Sequence, residues 1–172
     1  MKEKKFIFRS IKFYDHNFLY LFNKLTSQGG YMVAPAASSL CDIKKDKIYH
    51  NSLINSKFAI FDSGFFCLLI RIIRFKKVKK FSFYLFLKTL LEKPSIKNQK
   101  FFLINPSKYE ESKNKIFLIK KGIKYFHSYV SPKYNRSNYK DKQLLNEIKS
   151  YNPKFIIINI GGGIQEPLAN YI

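Results

Sequence analysis

The sequence predicts a single α/β domain built on a mostly parallel, Rossmann-like sheet with helices on both faces. Three observations carry that expectation. Short apolar runs, Tyr31-Met32-Val33, Phe58-Ala59-Ile60-Phe61, Phe101-Phe102-Leu103-Ile104 and Phe155-Ile156-Ile157-Ile158, alternate with segments of helical periodicity, the order that parallel strands with right-handed crossovers require. The runs carry no charge, as strands covered on both faces do. Each ends in small or polar residues, and the carboxyl ends of parallel strands are where such sheets take ligands. A chain of 172 residues is long enough for one domain with its own core, and a hydrophobic content of 46% argues against disorder.

In chain order, residues 1–12 mix Lys and Arg with Phe and Ile and read as an edge strand or a basic arm. Asp15 then serves as the expected cap of a helix whose Phe18, Leu19, Phe22 and Leu25 share one face, stopped by Gly29-Gly30. After the short strand at Met32, Ala34-Pro35-Ala36-Ala37-Ser38-Ser39-Leu40 turns into a second helix, with small residues that let a ligand come close. The strand ending at Phe61 delivers Asp62-Ser63-Gly64. A carboxylate there is costly unless it is hydrogen-bonded or used. Asp62 is therefore either the N-cap of the apolar segment 65–73 or a catalytic group, and the spacing weighs the two equally.

Arg71, Arg74, Lys76, Lys77, Lys79 and Lys80 follow without an acid among them, bordered by Phe65, Phe66, Leu68 and Leu69 before and Phe81, Phe83, Tyr84, Leu85 and Phe86 after. Such a band suits an anionic membrane surface; a solvated loop between two core helices is the competing reading. Further on, Phe101-Phe102-Leu103-Ile104 leads through Asn105-Pro106-Ser107 into a lysine-rich helix ending near Lys121, where Gly122 stops it. A strand within 124–130, a loop over 131–137 holding Pro132, Tyr134 and Arg136, and a helix over 139–150 with Leu144, Leu145 and Ile148 on one face complete the alternation. The closing strand, read as buried on both faces, runs into Gly161, Gly162 and Gly163, then Gln165 and Glu166, with Glu166-Pro167 as a helix start. Neither the dinucleotide nor the Walker spacing is met, so the glycines are as readily a flexible turn as a ligand site.

The 32 Lys and Arg against 11 Asp and Glu leave a formal charge of +21, which draws anionic partners: nucleic acid, lipid headgroups or nucleotide-sugar phosphates. No helix-turn-helix, zinc-finger or RNA-recognition signature accompanies the charge, which weighs against nucleic acid while leaving a basic nucleic-acid-binding domain as an alternative. Cys41 and Cys67 are isolated and read as core residues of a reduced, cytoplasmic protein. His16, His50 and His127 lie far apart, so no metal site is assigned and no cofactor is expected. The longest apolar region, 58–73, contains Asp62 and Arg71 and falls short of the roughly 20 apolar residues of a spanning helix, so the chain can lie on a membrane but is not expected to cross one.

Taken together, Val33-Ala34-Pro35-Ala36-Ala37-Ser38-Ser39-Leu40, Phe58 through Gly64, Phe101-Phe102-Leu103 and Gly161 through Glu166 resemble, in content, order and separation, the WecG/TagA/CpsF family of glycosyltransferases, from about residue 32 to the end. Asp62, Ser63 and Gly64 correspond to the family's Asp-Gly element with one insertion. Gly161 through Glu166 correspond to its G-x-P-x-Q-E element, with Gly163 in place of proline. The resemblance implies a bacterial enzyme of the cell envelope that moves an N-acetylhexosamine-type sugar from a UDP-sugar to a polyprenyl-linked acceptor, inverting and metal-independent, peripheral on the inner face of the cell membrane. It implies Asp62 as the base, with Ser63, Gly64, Gly161, Gly162, Gly163, Gln165 and Glu166 around the donor. The absence of a D-x-D element agrees with metal independence.

Three departures accompany it. Ala34 and Ala36 stand where the family commonly has Thr and Asn of a T-x-N element. Only the positive charge of the R-x-x-G-x-D element survives, near Lys80. The sequence ends at Ile172, where family members usually continue through an arginine-bearing tail, so weak transfer by this chain alone, or a catalytically inactive membrane-associated homologue, is a further expectation. A homo-oligomer is compatible with the sequence.

Overall fold

The computed structural model describes residues 4–41 and 43–172, and the fold is α/β with strands parallel everywhere except in one hairpin. The chain divides into two compact units, residues 1–87 and 88–172. Their strands form two hydrogen-bonded sheets instead of the one sheet expected.

In the first unit β1 (Lys5–Phe8) and β2 (Ile11–Tyr14) form an antiparallel hairpin, and β2, β4 (Phe58–Ile60) and β3 (Met32–Val33) run parallel, in the order β1-β2-β4-β3. The basic start of the chain is thus an edge strand over its described residues. Residues 1–3 of the expected arm lie outside them. β2 earns its inner position by alternation: Ile11 and Phe13 are fully buried while Lys12 points to water. Phe13 stacks on Phe61 with ring centroids 5.0 Å apart, and both meet Phe66, at 5.2 and 6.1 Å. Around this aromatic centre pack Val33, Leu40, Ile43, Tyr49, Leu53 and Ile70.

Helix α1 (Phe18–Gln28) is capped by Asn17, whose side chain accepts from Tyr20 N at 3.0 Å, and ends at Gly29 with φ +67°. Asp15, the expected cap, instead accepts from Lys79 N at 3.2 Å. A short α2 (Ala37–Cys41) and a capped α3 (Lys47–Ile54) lead to β4, and α4 (Gly64–Arg74) follows it. Cys41 is exposed and Cys67 only half-buried, against the expectation that both are core; in the five-residue α2 the inward position belongs to Leu40. No helix among the described residues is long and apolar enough to cross a membrane.

Helix α5 (Phe83–Glu92) spans the division between the units. The second unit has the all-parallel order β6-β5-β7, with β5 (Lys100–Asn105) central, β6 (Tyr125–Val130) and β7 (Phe155–Ile158) at the edges, and helices α6 (Lys108–Lys120), α7 (Lys142–Tyr151) and α8 (Gln165–Tyr171). The strand buried throughout is β5, from Phe101 to Asn105. β7, expected to be covered on both faces, is an edge strand paired with β5, and the face that carries Ile156 is left exposed. Phe102 and Ile104 pack with Leu144, Ile148, Ile160 and Leu168. Ser107 caps α6, accepting from Glu110 N at 3.4 Å, and its hydroxyl donates to the Glu110 carboxylate, which orients the cap.

Candidate functional site

In the first unit, register places the ends of β2, β4 and β3 at one sheet edge: Tyr14 lies beside Ile60 and Val33 beside Ala59. The residues that follow, Asp15, Asp62 and Ala34, therefore leave the sheet at its carboxyl edge. Ser63 caps α4, its Oγ accepting from Phe66 N at 3.2 Å, so the capping role open to Asp62 is filled by its neighbour. Asp62 is half-buried and makes no hydrogen bond or ion pair with another described residue. A Cβ on Gly64 would meet only Lys80 Cδ, at 3.8 Å, and Phe81 N donates to Phe61 O at 2.8 Å, so the end of the basic band is tied beside this turn. Burial, with Asp15 adding to it, pushes the Cys67 thiol up, which makes it a poor nucleophile.

The basic band is not a single loop. Arg71 and Arg74 occupy the last turn of α4, and Lys76, Lys77, Lys79 and Lys80 follow it in an irregular segment held by buried Val78; all six cations are exposed.

In the second unit the sheet edge is organised by the polar residue that closes β5. Asn105 is fully buried at the end of β5; its Nδ2 donates to Ser128 Oγ at 3.0 Å, and its Oδ1 accepts from Asn114 Nδ2 at 2.8 Å and Asn159 Nδ2 at 3.2 Å. Its carbonyl accepts from Ser131 N at 2.8 Å. One amide thereby joins α6 and the ends of all three strands. The only early signal was a polar residue closing an apolar run.

Beyond Asn159 the chain makes the glycine turn. Gly161 and Gly162 are exposed, and a Cβ on either would have nothing within 4 Å, so their backbone faces open space. Gly163 has φ +89°, a conformation that favours glycine, and a Cβ there would come 3.2 Å from Arg136 Nη2. Glu166 is buried and turns back on the loop: its carboxylate accepts from Gly163 N at 2.7 Å and from Gln165 Nε2 at 3.3 Å. It clamps the turn, while the turn's outer backbone stays accessible.

Arg136 is carried by the loop after β6, and that loop is pinned by Asp141. One Asp141 oxygen accepts from Tyr129 OH at 2.7 Å and Tyr134 OH at 2.6 Å, and the other caps α7 through Leu144 N at 3.0 Å. Burial pushes the Asp141 carboxyl up, but the hydrogen bonds from Tyr134, Leu144 N and Tyr129 outweigh it and hold the group below the usual carboxylate range. Burial and the same carboxylate push Tyr129 up to about 12 and Tyr134 up as well. Arg136, Gly163, Gln165 and Glu166 thus come together in the second unit, and Asp62, Ser63 and Gly64 in the first.

The first unit thus carries a half-buried carboxylate after a buried strand, and the second an open glycine turn after its closing strand. Residues 12–171 match the family model described as glycosyl transferase WecG/TagA/CpsF family. The chain belongs to that family, whose members are glycosyltransferases of cell-surface polysaccharide synthesis. The match begins twenty residues earlier than the motif resemblance near residue 32, and so takes in β2. A comparison with curated proteins found no match.

Proposed function

We propose that this glycosyltransferase moves an N-acetylhexosamine-type sugar from a UDP-sugar to a polyprenyl-linked acceptor, with inversion and without a metal, at the inner face of the cell membrane. The observation that carries the proposal is Asp62: a half-buried carboxylate after the central strand β4, not hydrogen-bonded to any described residue and relieved of capping by Ser63. A carboxylate held ready in this way is suited to accept a proton.

In the proposed reaction the acceptor hydroxyl oxygen attacks the anomeric carbon from the face opposite the leaving group. Its proton passes to Asp62 as the new C–O bond forms. The bond between the anomeric carbon and the UDP oxygen breaks, and UDP leaves with the electron pair. Within the second unit, the exposed backbone of Gly161 and Gly162 would offer N–H groups to a diphosphate, and Arg136 beside Gly163 would add a positive charge. Gln165 would contact the donor, and Glu166 would act through the shape of the turn it clamps. Ala34 and Ala36, after β3 in the first unit, offer no side-chain hydrogen bond there, which bears on the choice of donor sugar.

The test is twofold. Mass spectrometry of nucleotide-sugars retained by the purified protein should find a UDP-N-acetylhexosamine, and a polyprenyl-linked sugar should accelerate UDP release from it. Retention of nucleic acid and no nucleotide-sugar, or UDP release indifferent to acceptor, would oppose the proposal.

A further inference from the structure

Helix α4 has an apolar face that the fold does not use. Phe66 and Ile70 supply its buried stripe, yet Phe65, Leu68 and Ile72, on the opposite side at i, i+3 and i+7, remain 62%, 51% and 60% exposed. Ile73 and Phe75 extend the surface, and Phe75 is the extreme case: a bulky side chain 94% exposed on a backbone with φ +51°, a strained setting for a residue that packs against nothing. A helix apolar on both sides is ordinarily buried, so a second covering is missing.

The charges around the ridge say what covers it. No Asp or Glu occurs between Asp62 and Glu92, and Arg71, Arg74, Lys76 and Lys77 flank the ridge, all exposed. A second copy docked on this face would set the same cations against each other, which disfavours a symmetric dimer here. Nucleic acid would meet the cations but leave the ridge in water. An anionic lipid surface satisfies both, with headgroup phosphates on the basic residues and rings and branched chains in the acyl boundary. We propose that α4 and the segment following it form an in-plane anchor, with Phe65, Leu68, Ile72 and Phe75 inserted into an anionic bilayer and the cations at headgroup level. This deepens the proposed transfer to a lipid-linked acceptor and rests on it only for the anchor's purpose, because docking is measured without donor or acceptor and so fails or succeeds on its own.

The protein contains no tryptophan, so Phe75→Trp gives a single-site fluorescent reporter, and Phe65→Trp gives a second in regular helix. Both emissions should shift to the blue with phosphatidylglycerol-containing vesicles and stay unchanged with pure phosphatidylcholine. In sedimentation with the anionic vesicles, Leu68→Ser and Ile72→Ser, both at exposed positions, should each weaken partition about tenfold. Added salt should reduce binding without abolishing it, since screening acts on the cations and not on the ridge. Unshifted reporters on anionic vesicles, equal shifts on neutral ones, or a shift that follows protein concentration without lipid would each overturn the proposal.

Discussion

Replacing Asn105 by alanine tests whether one buried amide holds the sheet edge beneath the glycine turn. The substitution removes the donation to Ser128 and the acceptances from Asn114 and Asn159. Each is a neutral, partly buried hydrogen bond contributing about 1 kcal/mol, so the expected loss is about 3 kcal/mol. For a domain stable by roughly 5–15 kcal/mol the fold survives, weakened. In urea, at a slope near 2 kcal/mol per M, the unfolding midpoint should fall by about 1.5 M. Asn114→Ala and Asn159→Ala each break one bond of the set and should cost about 1 kcal/mol apiece. Amide exchange at Asn159 and Ser131, which bond to the carbonyls of Ile104 and Asn105, should quicken most in Asn105→Ala. An Asn105→Ala midpoint no lower than that of either single-bond control would refute the role.

Three further outcomes follow from the same geometry. Gly163→Ala forces a positive φ on an L-residue and crowds Arg136, and should cost about 1–2 kcal/mol in urea unfolding, whereas Gly161→Ala, with space around it and no positive φ, should be close to neutral in stability. Glu166→Ala leaves the Gly163 N–H without its acceptor and should cost about 1–3 kcal/mol, with Glu166→Gln recovering much of it in the same assay. Asp141 is held below its unfolded value of about 3.9, so its contribution is present above that pH and is lost as the pH falls through the lower folded value; Asp141→Asn should flatten the acid limb of stability against pH, and an unchanged limb would exclude Asp141 as its source.

How much of this was legible in the sequence depends on whether the controlling interaction is local. β4 and β5 were readable because short uncharged runs of β-branched and aromatic residues, bounded by polar turn residues, favour a covered strand, and Ser107 and Gly122 punctuate α6 at its ends. The β1–β2 hairpin was not: its two-residue turn is Arg9-Ser10, both at positive φ, where such a turn usually advertises itself with Asn-Gly or Asp-Gly. Asp15 and Asn17 are both good caps two residues apart, and what separates them is the Lys79 amide, sixty-four residues away. β7 has the composition of a central strand, but position in a sheet is a property of partners, and it has one.

The candidate site was legible as motifs and opaque as roles. Asp62 with Ser63, and the three glycines with Gln165 and Glu166, stood out by residue type. That Ser63 does the capping, that Glu166 faces inward as a clamp, and that Arg136 meets Gly163 depend on side-chain direction and on a loop fixed by Asp141. The exposed apolar ridge of α4 was similarly visible only as apolar residues beside a basic band, because exposure decides whether such residues are core or surface.

The most direct test of the account is Asp62→Asn in acceptor-dependent UDP release. Because Asp62 bonds to no described residue, the substitution should leave the urea midpoint and UDP binding by equilibrium dialysis unchanged. Loss of the base should lower transfer by at least about 10²-fold. Transfer by Asp62→Asn at the wild-type rate, with UDP binding intact, would contradict the assignment of Asp62 as the group that takes the acceptor's proton.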